Sequence, residues 1–162
     1  FVIDKILSGF FSTTSRQIIF SDFENEIINR DLNNEPVTYE IIEQTYRNIN
    51  EKYTNIKQNK KQTIYGKYSL ATILRIDHFY VGNFYVYKYA IGQICAMYIA
   101  RKIYSGDKEM LKKYFNFVSS GSSLSPIETI KLLGIDFNNE DVWNECKNNI
   151  SYFIKEYKNL SK

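Results

Sequence analysis

The chain has 162 residues, of which 44% are hydrophobic, 16% aromatic and 24% charged, and a formal net charge of +3. That length suits a single domain with a real core, and the hydrophobic share excludes a disordered chain. The mild charge, with Lys57, Lys60 and Lys61 clustered in KQNKK and no arginine stripe beside them, argues against a nucleic-acid surface, and no stretch is long and apolar enough to span a membrane.

The pattern is helical throughout. From about Phe10 to Leu32, Ile19, Phe20, Phe23, Ile27 and Ile28 recur at helical spacing until Asn33, Asn34 and Pro36 break it. Thr38 can cap a second helix to about Asn55, with Ile41, Ile42, Tyr46, Ile49 and Tyr53 in one stripe. The polar run KQNKKQ reads as a surface loop. Lys67 to Ile76 reads as a short helix, and Asp77 to Gly82 as a turn into a central helix over about Asn83 to Tyr104. That helix is apolar on most faces, which predicts burial, and Gly92, Ala96 and Ala100 give it a small-residue ridge. Asp107 is the N-cap of the next helix. Ser125-Pro126-Ile127-Glu128 has the form of a capping box with proline at the first helical position, and Gly134 suits the left-handed residue after a helix. A last amphipathic helix runs from about Glu140 to Tyr157.

Chemistry concentrates in HFYVGNFYVYKYAIG, His78 to Gly92, which holds the only histidine together with Tyr80, Tyr85, Tyr87 and Tyr89. A helix that needed only filling would use Leu, Ile or Ala. A buried tyrosine must find a partner for its hydroxyl, so four of them near one imidazole point to a polar pocket in an aromatic wall. The alternative is an amphipathic core helix whose tyrosine hydroxyls reach the surface. Asp22, Glu24 and Glu26 read as solvated helix charges on different faces. Cys95 and Cys146 fit neither a zinc knuckle nor a disulfide framework and read as reduced, buried thiols of a cytoplasmic protein. No phosphate loop is present, since SSGSS lacks the lysine such a loop needs.

Three blocks carry a resemblance. Arg16 to Glu24 (RQIIFSDFE), His78 to Gly92, and Tyr114 to Asp136 (YFNFVSSGSSLSPIETIKLLGID) together resemble the C-terminal part of the oligoendopeptidase F group of thimet-oligopeptidase-like zinc metallopeptidases. The resemblance implies an all-α fold, residues 1–162 forming one helical portion of a catalytic domain, and a cytoplasmic parent that hydrolyses short peptides. It implies His78 and Tyr87 as catalytic residues and Tyr80 and Tyr85 as substrate-binding ones, with Tyr89 left to packing. The family's zinc motif, His-Glu-x-x-His, needs two histidines and is absent from a chain with one. Zinc is therefore expected in the parent and not in this chain, with the metal-binding half lying upstream of a chain that begins at Phe1. A competing expectation is a non-catalytic helical interaction module.

The cut face of such a piece is expected to be apolar and to drive self-association through Phe10, Phe11 and Phe20 or through the central helix. The isolated chain is expected to bind no stoichiometric zinc and to cleave no peptide. Metal analysis after dialysis, with a quenched-fluorescent peptide assay, checks this. One tightly held zinc per chain, or chelator-sensitive cleavage, contradicts it.

Overall fold

The computed structural model describes residues 2–54, 70–82 and 84–160, apart from the side chains of Leu70 and Thr72. The lysine cluster at 57–61 and the start of the expected helix at Lys67 lie outside the described residues. The fold is all-α: among the described residues there are helices and no strands. In chain order they are α1 (Val2–Leu32), α2 (Tyr39–Thr54), α3 (Leu70–Ile73), α4 (His78–Val81), α5 (Tyr87–Tyr104), α6 (Lys108–Ser119), α7 (Pro126–Lys131) and α8 (Glu140–Leu160).

The chain groups into two compact units, one of residues 1–10 with 91–162 and one of residues 11–90. In the first, Phe10, Ile94, Cys95, Met97, Ile99, Met110, Leu133, Ile135, Val142 and Cys146 form the core. Its helix ends obey local chemistry. The Asp107 carboxylate accepts the Met110 amide at 2.8 Å, which starts α6. Ser125 and Glu128 complete the capping box of α7, the serine amide donating to Glu128 Oε2 at 3.0 Å. Gly106 (φ +90°) ends α5, with the Asp107 amide reaching back to the Lys102 carbonyl at 3.0 Å. Gly134 takes φ +74°, a backbone that a side chain would strain.

In the second unit, Ile19, Phe20 and Phe23 of α1 meet Tyr46 and Ile49 of α2, Ile73 of α3, and Val86. Phe20 is 2% exposed and Val86 fully buried. The α1 stripe at positions 20, 23 and 27 is the i, i+3, i+7 pattern of a core-facing face.

Five expectations change. Helix α1 starts at Val2, well before Phe10. Asp77 to Gly82 contains a helical turn, α4, because Phe79 folds inward to meet Phe20 and Phe23 at ring-centroid distances of 5.1 Å. The central helix begins at Tyr87, since Phe84 takes a left-handed φ of +53° that a right-handed helix cannot pass. Helix α5 is also not buried all round: Gly92, Ala96 and Ala100 are exposed. Of the three phenylalanines expected on an apolar surface, Phe10 and Phe20 are core residues, and only Phe11 is exposed.

Asn149 is the polar lock of the first unit. It is fully buried, its amide donates to the Met97 carbonyl at 2.7 Å, and its oxygen accepts from Arg101 at 3.1 Å. Truncation strands both partners, and a stranded buried group costs about 1–3 kcal/mol. Asn149→Ala is expected to lower unfolding free energy by about 2 kcal/mol in urea titration, whereas a surface change such as Lys155→Ala has no measurable effect.

Candidate functional site

The second unit gathers aromatic rings around His78, the first residue of α4. The imidazole meets Phe20 edge-on at 5.8 Å and Tyr85 edge-on at 5.8 Å, and stacks on Tyr89 at 6.2 Å with 12° between the planes. The Tyr85 hydroxyl lies 3.1 Å from His78 Nδ1. When the hydroxyl donates, Nδ1 is the acceptor and Nε2 carries the proton. The outer ring nitrogen is then a donor.

The break at Phe84 makes this contact. Tyr85 precedes α5, so its ring is not tied to the helical spacing that separates it from Tyr87 by about 200°. Tyr87 opens α5 and is 48% exposed, and Tyr80 lies within α4 at 63% exposed. Tyr80 stands at the rim of a cleft of about 200 Å³ lined by Phe23, Glu24, Ile27, Ile73 and Phe79. The structure thus brings His78 and Tyr85 together, while Tyr80 and Tyr87 stand apart from that hydrogen bond. Tyr89, read as packing, lies on the imidazole and is 46% exposed. Burial, the Tyr89 hydroxyl and the charges of Glu24 and Asp77 raise the Tyr85 phenol above its ordinary value, so it stays a neutral donor.

Glu24 is the residue that the sequence reading misplaced. Its side chain is buried, at 9% exposure. Oε1 accepts the Phe84 amide at 3.4 Å, and Oε2 has no hydrogen-bond partner among the described residues. The signal was present: Phe20, Phe23, Glu24 and Ile27 fall at i, i+3, i+4 and i+7, which puts the carboxylate on the apolar face of α1. Asp22, by contrast, is a surface partner of Lys52 at 2.9 Å, and Glu26 pairs with Arg30 at 3.1 Å.

Among the described residues no three His, Cys, Asp or Glu side chains converge on a point that could hold a metal ion. Burial raises both cysteine thiols, that of Cys95 to about 11. The donors present do not fit a zinc site. What the second unit does offer is an imidazole and several tyrosine hydroxyls, hydrogen-bonding groups of the kind that fix a ligand's orientation in a pocket.

Comparison with known proteins shows the family. The model of peptidase family M3 matches residues 1–148, and the chain belongs to that family. It is 47% identical over 154 residues to an oligoendopeptidase F homolog of Mycoplasma genitalium, covering 92% of this chain and 25% of that protein. It is 32% identical over 148 residues to oligopeptidase PepF of Bacillus subtilis, covering 91% of this chain and 21% of that one. The crystal structure of oligoendopeptidase-F from Enterococcus faecium superposes with a TM-score of 0.82 at 28% identity, over 98% of this chain and 29% of that one. The chain therefore spans about a quarter of the length of the relatives it matches.

Burial is the largest influence on Glu24 and raises its pKa above the ordinary 4.5, opposed by the Phe84 amide and the nearby His78 charge. A carboxyl that holds its proton more tightly folded than unfolded favours the fold at low pH. That contribution is lost as pH rises from 4.5 through the raised folded value. Glutamine removes the titration. Glu24→Gln is expected to be more stable than wild type at pH 7, with the gap closing below pH 4.5, as read by urea unfolding across a pH series. A gap independent of pH contradicts the assignment.

Proposed function

We propose that this chain is one part of a longer, cytoplasmic zinc oligoendopeptidase that hydrolyses internal bonds of short peptides, and that its contribution is a set of neutral donors facing the substrate. Family membership supports the peptidase reading, and free thiols at Cys95 and Cys146 accord with a reducing compartment. Zinc would be held by residues outside this chain, where it would supply Lewis-acid chemistry.

The Tyr85 hydroxyl on His78 Nδ1 carries the assignment of roles. A tyrosine hydroxyl has one proton to give. Tyr85 spends its own on the imidazole and so fixes the tautomer, leaving His78 Nε2 as the donor. Tyr87 has no such commitment among the described residues, and its half-exposed ring leaves the hydroxyl open to a ligand. In this reading His78 and Tyr87 are catalytic, donating to the oxygen of a peptide carbonyl as negative charge develops on it. Tyr85 orients His78, and Tyr80 meets substrate at the rim of its cleft. Donors fixed in advance at a developing oxyanion are worth about 10²–10³ in rate each.

The test uses the full-length enzyme containing this chain. Tyr87→Phe is expected to lower kcat by about 10²–10³ with KM nearly constant. His78→Ala lowers kcat and also raises KM, since the imidazole can meet the substrate backbone before reaction. Tyr104→Phe, at a residue 91% exposed and far along α5, is the neutral control. Wild-type kinetics for both His78→Ala and Tyr87→Phe overturn the reading.

A further inference from the structure

We propose that Glu24 is a positioning residue for the His78–Tyr85 pair: its carboxylate ties the turn at Phe84 to α1 and thereby holds Tyr85 on the imidazole. The inference rests on the donor role given above to His78. Three separate observations support it. Glu24 is nine-tenths buried on the apolar face of α1, where a charged group without a task is expensive. Its Oε1 accepts the amide of Phe84, sixty residues along the chain and directly before Tyr85. Phe84 itself holds φ +53°, a conformation that a bulky side chain adopts only where its surroundings impose it.

These observations form one chain of cause. Strain at Phe84 favours relaxation of the turn. Relaxation would swing Tyr85, whose hydroxyl must stay about 3 Å from Nδ1 to fix the imidazole. Two anchors oppose it. Val86, fully buried in the core of the second unit, holds the turn on its C-terminal side. The Glu24 carboxylate holds the amide at its apex. The carboxylate also lies within electrostatic reach of His78.

Glu24→Gln keeps an oxygen acceptor for the Phe84 amide, whereas Glu24→Ala removes it. In the full-length enzyme, Glu24→Ala is expected to lower kcat by about ten- to a hundredfold with KM little changed, the size of effect that a small misplacement of a reacting group produces. Glu24→Gln stays within about threefold of wild type. Should Glu24→Ala fail to fold, Glu24→Asp replaces it, keeping the charge but withdrawing the acceptor. A double-mutant cycle then separates positioning from general stability. Tyr85→Phe alone lowers kcat about tenfold, and adding Glu24→Ala lowers it no further than the worse single variant. Losses that multiply show that Glu24 does not act through Tyr85 and overturn the proposal.

Amide hydrogen exchange reads the tie without reference to activity. Protection at Phe84 is expected to fall in Glu24→Ala and persist in Glu24→Gln, and persistence in both overturns the proposal. Lost protection with unchanged turnover overturns it as well, while leaving intact the losses expected for His78→Ala and Tyr87→Phe. Unchanged turnover in those two variants overturns the catalytic reading itself.

Discussion

A non-glycine residue at φ +53° divides the chain between α4 and α5, and the arrangement of the second unit depends on that one backbone torsion. A right-handed helix cannot run through it. Without the break, positions 83 to 104 would form one rod, with Tyr85 and Tyr87 pointing about 200° apart around it. With the break, Tyr85 is released from the helix and turns onto His78, while Tyr87 begins α5 on a different course. Two tyrosines two residues apart thereby acquire different surroundings: Tyr85 lies on the imidazole, and Tyr87 opens α5 half exposed.

Such a torsion persists only where its neighbours make the alternatives worse. A strained non-glycine residue costs about 1–3 kcal/mol, which a single neutral hydrogen bond of about 1 kcal/mol does not offset. The balance comes from combination. Phe79 packs on Phe20 and Phe23, Val86 is fully buried, and Tyr85 lies against His78 and Tyr89. Aromatic pairs of this kind contribute about 0.5–1.5 kcal/mol each beyond the area they bury. The Glu24 bond to the Phe84 amide, long at 3.4 Å, matters more for direction than for energy. Packing holds the segment down, and the carboxylate selects which way its backbone turns. The same carboxylate detracts from stability near neutral pH, because burial favours its protonated form. Stability surrendered at a site for the sake of a fixed geometry is the usual relation between function and folding.

Features set by short-range chemistry were legible in the sequence. Asp107 caps the helix it was expected to cap, Ser125 and Glu128 close their box within four residues, and Gly134 takes the left-handed torsion that only glycine adopts without strain. The all-helical class followed from periodicity in the same way. What escaped depends on contacts across long separations. Nothing near Phe84 announces a left-handed torsion, since Gly82 two residues earlier is the expected place for a bend and instead takes an extended backbone. Glu24 was read, like Asp22 and Glu26, as a solvated helix charge on a face of its own. Helical phase separates them, and the partner that explains Glu24 lies sixty residues away. The apolar stretch of α5 misled in the opposite sense. A helix apolar on most faces here keeps one face open, as Gly92, Ala96 and Ala100 show.

The chemistry of the donors explains why such a wall can be built apart from a metal. Acidic and thiolate side chains compete for a cation, and among the described residues no three such groups converge on one point. Glu24 is turned toward a backbone amide, and burial raises the Cys95 and Cys146 thiols away from the thiolate form. Tyrosine hydroxyls and an imidazole whose Nδ1 is already engaged offer protons instead of charge. In the proposed reading a surface of that kind would meet a peptide carbonyl without drawing a cation to itself. In that reading it would face a separately built metal site, each half meeting a different feature of the same substrate. The division requires the donors to be fixed before substrate arrives, since a hydroxyl free to rotate gives up part of its advantage in reorganisation. Buried aromatic rings, a strained turn and one buried carboxylate supply that fixity in residues 20 to 89.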